Sequence, residues 1–141
     1  MKILALVGLP GSGKSHYINK LENIDKFLII DDPKTPEDLP DPLKAKNFDL
    51  IIADCHLCIP RIREKFINKM HKTYPEHSIE FLFFENNPNQ CLKNVSYRND
   101  GRKVETTILQ YSKEYEIPEN SNIIPVFNTD LLIKNKHKFK P

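Results

Sequence analysis

Tryptophan is absent from this chain, glycine is scarce, and cysteine occurs an odd number of times. An odd set cannot pair completely, and Cys55, Cys58 and Cys91 form no disulfide framework, so reduced thiols in a cytoplasmic protein are expected. No apolar run approaches the roughly 20 residues that span a bilayer, so no membrane partner is expected. Lys2 followed by apolar residues as far as Leu9 imitates a short secretory leader. A glycine-bearing motif begins where such a leader would be cut, which argues for a strand instead. The net charge of +2 is too slight to attract nucleic acid by bulk electrostatics, so partners must be argued from local groups. The 141 residues allow one domain with a real core, expected over residues 1–133, followed by a basic, solvated tail over 134–141.

What glycine there is lies together: Gly8, Gly11 and Gly13 stand in one stretch, Gly8-Leu9-Pro10-Gly11-Ser12-Gly13-Lys14-Ser15. This fits the pattern G-x-x-x-x-G-K-[ST] without a mismatch. A multiply charged anion is held best by several backbone N–H groups turned inward, and residues without a side chain let the main chain curl that tightly. Lys14 places an ammonium on the β and γ phosphates of a nucleoside triphosphate, and the Ser15 hydroxyl completes a Mg²⁺ shell. The apolar run Ile3 to Val7 reads as a buried strand and His16 to Leu21 as a helix, the context this motif requires.

The remaining pattern alternates strands and helices, which implies an α/β domain with a mostly parallel five-stranded sheet flanked by helices. Phe27 to Ile30 is a second strand ending in Asp31-Asp32-Pro33, and Asn47 to Asp54 a third, apolar on both faces and ending in an acid. Ligands of open parallel sheets lie beyond the carboxyl ends of the strands, so Asp31, Asp32 and Asp54 are candidates to face a nucleotide. Asp31 is the better general base because it comes first off its strand. Asp54 is a candidate for Mg²⁺ or for a substrate hydroxyl. Between Pro33 and Lys46, four prolines allow at most one helical turn, and Lys34 is a cation available to a substrate.

Cys55-His56-Leu57-Cys58 has the C-x-x-C spacing, but zinc needs about four ligands and no second pair occurs, so small polar side chains on a site floor are expected. A helix over Pro60 to Thr73 carries Arg61 and Arg63 in its first turn, where the helix dipole disfavours positive charge, which points to an anion nearby or to pairing with Glu64 or Glu80. Ile79 to Phe84 is a fourth strand, and Asn87-Pro88 starts a helix that ends near Tyr97. Arg98-Asn99-Asp100-Gly101-Arg102-Lys103 has the form of a short lid, with Arg98 and Arg102 able to neutralise migrating phosphoryl charge. Val104, Ile108, Tyr111 and Tyr115 mark a core-facing return helix, and Asn122 to Phe127 a fifth strand that its proline places at an edge.

In that order, these motifs resemble the kinase domain of phage-type polynucleotide 5′-hydroxyl kinases, within the wider group of P-loop kinases that includes zeta toxins. The resemblance covers nearly the whole chain and is most specific at the glycine loop and the lid. It implies the three-layer P-loop NTPase fold, ATP and Mg²⁺ as cofactors, and transfer of the γ-phosphoryl group to a hydroxyl. On this likeness Asp31 is the general base, Lys14 and Ser15 hold phosphate and Mg²⁺, Asp54 assists metal or substrate, and Arg98 with Arg102 stabilises the transferred charge. Asp32, Lys34 and Arg61 are the further substrate contacts. The chain departs from the family after the base aspartate, where the helical segment is short, and at Asp54-Cys55-His56, where the family has Asp-Thr-Asn. The expected acceptor is the 5′-hydroxyl at a single-stranded nucleic acid end. A small metabolite, nucleoside or nucleotide hydroxyl is the alternative, and an ATP-binding switch without transfer is an alternative of another class. Guanine is not expected, since no Asn-Lys-x-Asp stretch occurs.

Overall fold

A computed structural model describes residues 1–98 and 103–130. Five strands, β1 (Lys2–Val7), β2 (Phe27–Asp31), β3 (Asp49–Ala53), β4 (Ser78–Phe84) and β5 (Ile123–Ile124), form one sheet in the order β2-β3-β1-β4-β5. Every pairing is parallel, so the sheet is parallel throughout rather than mostly so. The chain has the α/β architecture expected of it, with α1 (Lys14–Asn19), α2 (Pro42–Ala45), α3 (Pro60–Thr73), α4 (Pro88–Arg98) and α5 (Glu105–Glu114) as its helices.

Alternation along the central strands builds two cores. Leu4 and Leu6 of β1 meet Ile18 of α1, together with Ile51, Ala53 and Phe84. Ala5 and Val7 point the other way, to Leu57, Cys91, Ile108 and Tyr115, and Ile3 on that same face joins Leu50, Ile52, Met70 and Tyr74. Successive strand side chains leave opposite faces of a pleated sheet, so a run such as Leu50 to Ala53 is apolar throughout only because both faces are covered.

Three elements differ from expectation. The first helix starts at Lys14 rather than His16, directly off the glycine loop, since Tyr17 N–H already reaches the Gly13 carbonyl at 2.9 Å. The proline-rich connection holds two short turns, a 3₁₀ turn at Pro36–Asp38 and the four-residue α2, each opened by proline at its first position where no N–H is required. Asp41 caps α2 by accepting from Leu43 N–H at 2.9 Å. The fifth strand is at the sheet edge as expected but only two residues long. Pro125 offers no N–H to continue the ladder, and beyond it Val126 N–H donates to Glu85 Oε1 and Phe127 N–H to the Ser12 carbonyl.

Candidate active site

Strand register brings the site together. Leu6 of β1 lies beside Ala53 of β3, and Ala53 beside Asp31 of β2, so all three strands end at one level. From that edge emerge the glycine loop, Asp31-Asp32 and Asp54. They border a cleft of about 440 Å³ lined by the loop from Pro10 to Ser15, by Asp31 and Asp32, by Cys55 and His56, and across from these by Arg98, Thr107 and Tyr111. The volume suits a small organic ligand.

The loop is shaped by its glycines. Gly13 has φ of 103°, and a Cβ there would stand 2.7 Å from Cβ of Phe127. Gly11, at φ of 82°, would put one 2.7 Å from the Cys91 carbonyl oxygen. Side chains are thus excluded by conformation and by space together, and the main chain is left bare toward the cleft. Lys14 curls back over this loop: its Nζ donates to the carbonyls of Gly8 at 2.7 Å and Leu9 at 3.0 Å. Desolvation lowers its pKa, with Cys55, Cys58, Cys91 and Asp31 acting in the opposite sense. An ammonium desolvated in this way gains most when an anion is at hand.

Ser15 Oγ donates to Asp31 Oδ2 at 2.9 Å, which leaves the serine lone pairs and the second carboxylate oxygen available. These are hard oxygen donors of the kind magnesium takes. Asp32, in the left-handed region at φ of 55°, is exposed in the cleft wall and held by its N–H to the Ala53 carbonyl at 2.7 Å. Arg98, the last residue of α4, lines the cleft opposite. Gly8, Pro10, Gly11, Ser12, Gly13, Lys14, Ser15, Asp31, Asp32 and Arg98 therefore stand at one site. Arg102 lies outside the described residues, as does the tail over 134–141.

Three of the expected site residues do not line the cleft. Asp54 does not line the cleft beside Ser15: its Oδ1 accepts from His56 N–H at 2.9 Å and pairs with His56 Nδ1 at 2.7 Å, so it caps the following 3₁₀ turn, Cys55–Cys58. Lys34 is exposed, outside the cleft lining, where its main-chain N–H donates to Asp38 Oδ2 at 2.8 Å. Arg61 points away and lies 3.8 Å from Glu114, on the surface. Its neighbour Arg63 pairs with neither Glu64 nor Glu80. It is buried, donating to the carbonyls of Leu57, Cys58 and Glu116, with its guanidinium 4.8 Å from the centre of the Phe83 ring. The two arginines in one helical turn thus have a structural cause in this fold.

Sequence reading missed Asn94. It is buried on α4, one turn before Arg98, and its Nδ2 donates to the Gly11 carbonyl at 2.8 Å and to that of Phe127 at 2.5 Å. Its Oδ1 accepts from Gln90 and Thr129. Only the long-range contact identifies it, since an asparagine inside a helix looks like any solvated position. Tyr111 was legible as a helical apolar position, yet it also faces the cleft and lies edge-on to His56, with ring centres 5.8 Å apart.

Fold and loop together place the chain in one class by architecture: it has the parallel α/β fold that P-loop kinases share. Over its length it is similar to a gluconokinase from Sinorhizobium meliloti, at 12% identity and a TM-score of 0.57, covering 99% of this chain and 97% of that one. A fungal RNA kinase follows at 13% and 0.56, covering 99% and 87%, and a sugar kinase from a Janibacter species at 14% and 0.52, covering 99% and 94%. At such identities the likeness is one of fold. No protein-family profile matches the chain. It belongs to the same family as an uncharacterized protein of Acanthamoeba polyphaga mimivirus, with which it is 35% identical over 121 residues, 82% of this chain and 87% of that protein.

Proposed function

We propose that this protein is an ATP-dependent phosphotransferase that moves the γ-phosphoryl group to an alcohol. The observation that carries the reading is the bare glycine loop with the desolvated Lys14 ammonium folded over it, next to the Ser15–Asp31 pair. A triphosphate entering the loop gives Lys14 oxygens in place of the Gly8 and Leu9 carbonyls. Ser15, oriented by Asp31, would hold Mg²⁺ together with phosphate oxygens; the ion supplies neutralisation of phosphate charge. In the transfer the acceptor oxygen bonds to the γ phosphorus as the bond to the bridging β–γ oxygen breaks. The acceptor proton passes to the free oxygen of Asp31, and ADP departs. Arg98, at the mouth, spreads its planar charge over the migrating group, and Arg102 is assigned the same role by its position in the sequence.

For the acceptor, the cleft favours a small, uncharged hydroxylated molecule. Asp31 and Asp32 place negative charge on the wall where the acceptor stands, and the cations expected to read a substrate phosphate, Lys34 and Arg61, do not line the cleft. A polynucleotide 5′-hydroxyl is the second reading, favoured by Arg98 at the mouth and matching the fold of the fungal RNA kinase. Incubation with γ-labelled ATP and, in parallel, nucleosides, polyols and 5′-hydroxyl oligonucleotides tests this. Label in the small molecules supports the first reading and label in the oligonucleotides the second. Release of inorganic phosphate alone would mean a nucleotide-binding module without transfer.

A further inference from the structure

The stretch Cys55-His56-Leu57-Cys58 offers a metal too few ligands by itself. Folding changes the count. Asp32 follows β2 and Asp54 follows β3, neighbouring strands that end in register, and both carboxylates arrive at the turn that carries Cys55 and His56. One donor atom from each of Asp32, Asp54, Cys55 and His56 lies within 4.8 Å of all the others. Cys58, the second cysteine of the motif, is buried and takes no part.

We infer that Asp32, Asp54, Cys55 and His56 form a binding site for a borderline-soft divalent cation of the Zn²⁺ class, separate from the oxygen donors of Ser15 and Asp31. Two carboxylate oxygens, one thiolate and one imidazole nitrogen make a donor set that such an ion prefers and that magnesium does not. Tetrahedral bonds of about 2.0–2.3 Å require donors roughly 3.3–3.8 Å apart, so only the widest separations close, by about 1 Å, on binding. Asp32 and His56 are exposed, and the His56 Nδ1–Asp54 Oδ1 pair, now hydrogen-bonded at 2.7 Å, opens by about 0.6 Å as the ion takes the place of that bond. The inference goes beyond phosphoryl transfer and stands without it.

Cobalt is the probe. The full chain, stripped with chelator and titrated with Co²⁺, is expected to take up one ion in a tetrahedral environment, with intense visible bands and a thiolate-to-cobalt absorption in the near ultraviolet. Added Zn²⁺ displaces it. Cys55→Ser removes the near-ultraviolet band, and Asp32→Asn weakens binding about tenfold or more; circular dichroism checks that each variant is folded. If Cys55→Ser does not fold, His56→Ala, at an exposed position, is expected to abolish the tetrahedral spectrum. A weak octahedral spectrum without a thiolate band overturns the inference. So does a band that survives in Cys55→Ser, or one lost instead in Cys58→Ser or Cys91→Ser. No step of the experiment measures kinase activity, so failure of the functional reading leaves its outcome intact.

Discussion

The side-chain amide of Asn94 donates to the carbonyl of Gly11 across 2.8 Å, joining helix α4 to the glycine loop through a buried contact between residues 83 apart in sequence. The same amide holds Phe127, and its oxygen holds Thr129, so one side chain ties together three segments around the glycine loop. Replacement by alanine strands several of these buried groups and is expected to cost about 2–3 kcal/mol in chemical denaturation. Asn94→Asp is not expected to rescue, because a carboxylate faces two carbonyl oxygens where the amide donated.

Gly13→Ala tests the cradle. The residue sits at φ of 103° and its added methyl meets Phe127 at 2.7 Å, so the loop has to open. Calorimetry with Mg-ATP is expected to show affinity reduced by at least about tenfold, which corresponds to about 1.4 kcal/mol or more. Unchanged affinity would mean that the triphosphate does not occupy this loop.

Lys14→Ala and Asp31→Asn separate binding from transfer. Loss of the ammonium removes both ATP affinity and product formation. The Asp31 change keeps the Ser15 hydroxyl hydrogen-bonded to an oxygen and leaves ATP binding within a few-fold, while transfer falls by roughly 10² or more. Retention of most activity in Asp31→Asn removes it as the proton acceptor.

The two arginines in the first turn of α3, Arg61 and Arg63, are predicted to differ sharply. Arg63→Ala withdraws the donors of three carbonyls and a contact over Phe83, and is expected to cost about 2–4 kcal/mol. Arg61→Ala breaks only a surface contact with Glu114 and is expected to change stability by less than about 0.5 kcal/mol, with kinetics unaltered.

Stability is predicted to fall at alkaline pH through the thiols. Burial raises Cys55 and Cys91 from the ordinary 9.0 to about 11, and Cys58 to about 12. The folded state keeps these protons while the unfolded chain releases them above pH 9, so the neutral thiols cost nothing below that value. Their effect grows as pH rises from 9 toward 12, and denaturation midpoints should decline across that interval. Alkylation at pH 7 is expected to be slow in the folded chain and rapid once it is unfolded.

Much of the molecule was legible in local pattern. A strand buried on both faces announces itself by an unbroken apolar run, and a tight anion-binding loop by clustered glycines before a lysine and a serine. Order along the chain also placed Asp31 and Asp32 at strand ends, because parallel strands present their carboxyl termini on one side. Each of these depends on neighbours a few residues apart, so the sequence alone determined the fold class, the glycine loop and the acids beside it. Only the tertiary structure decided that Arg63 turns inward while Arg61 turns out, that Asp54 pairs with His56, and that Asn94 grips the loop. Those outcomes depend on which distant carbonyls and side chains come within about 3 Å of one another. Such distances are set when the sheet and helices close around their cores, and no spacing along the chain encodes them.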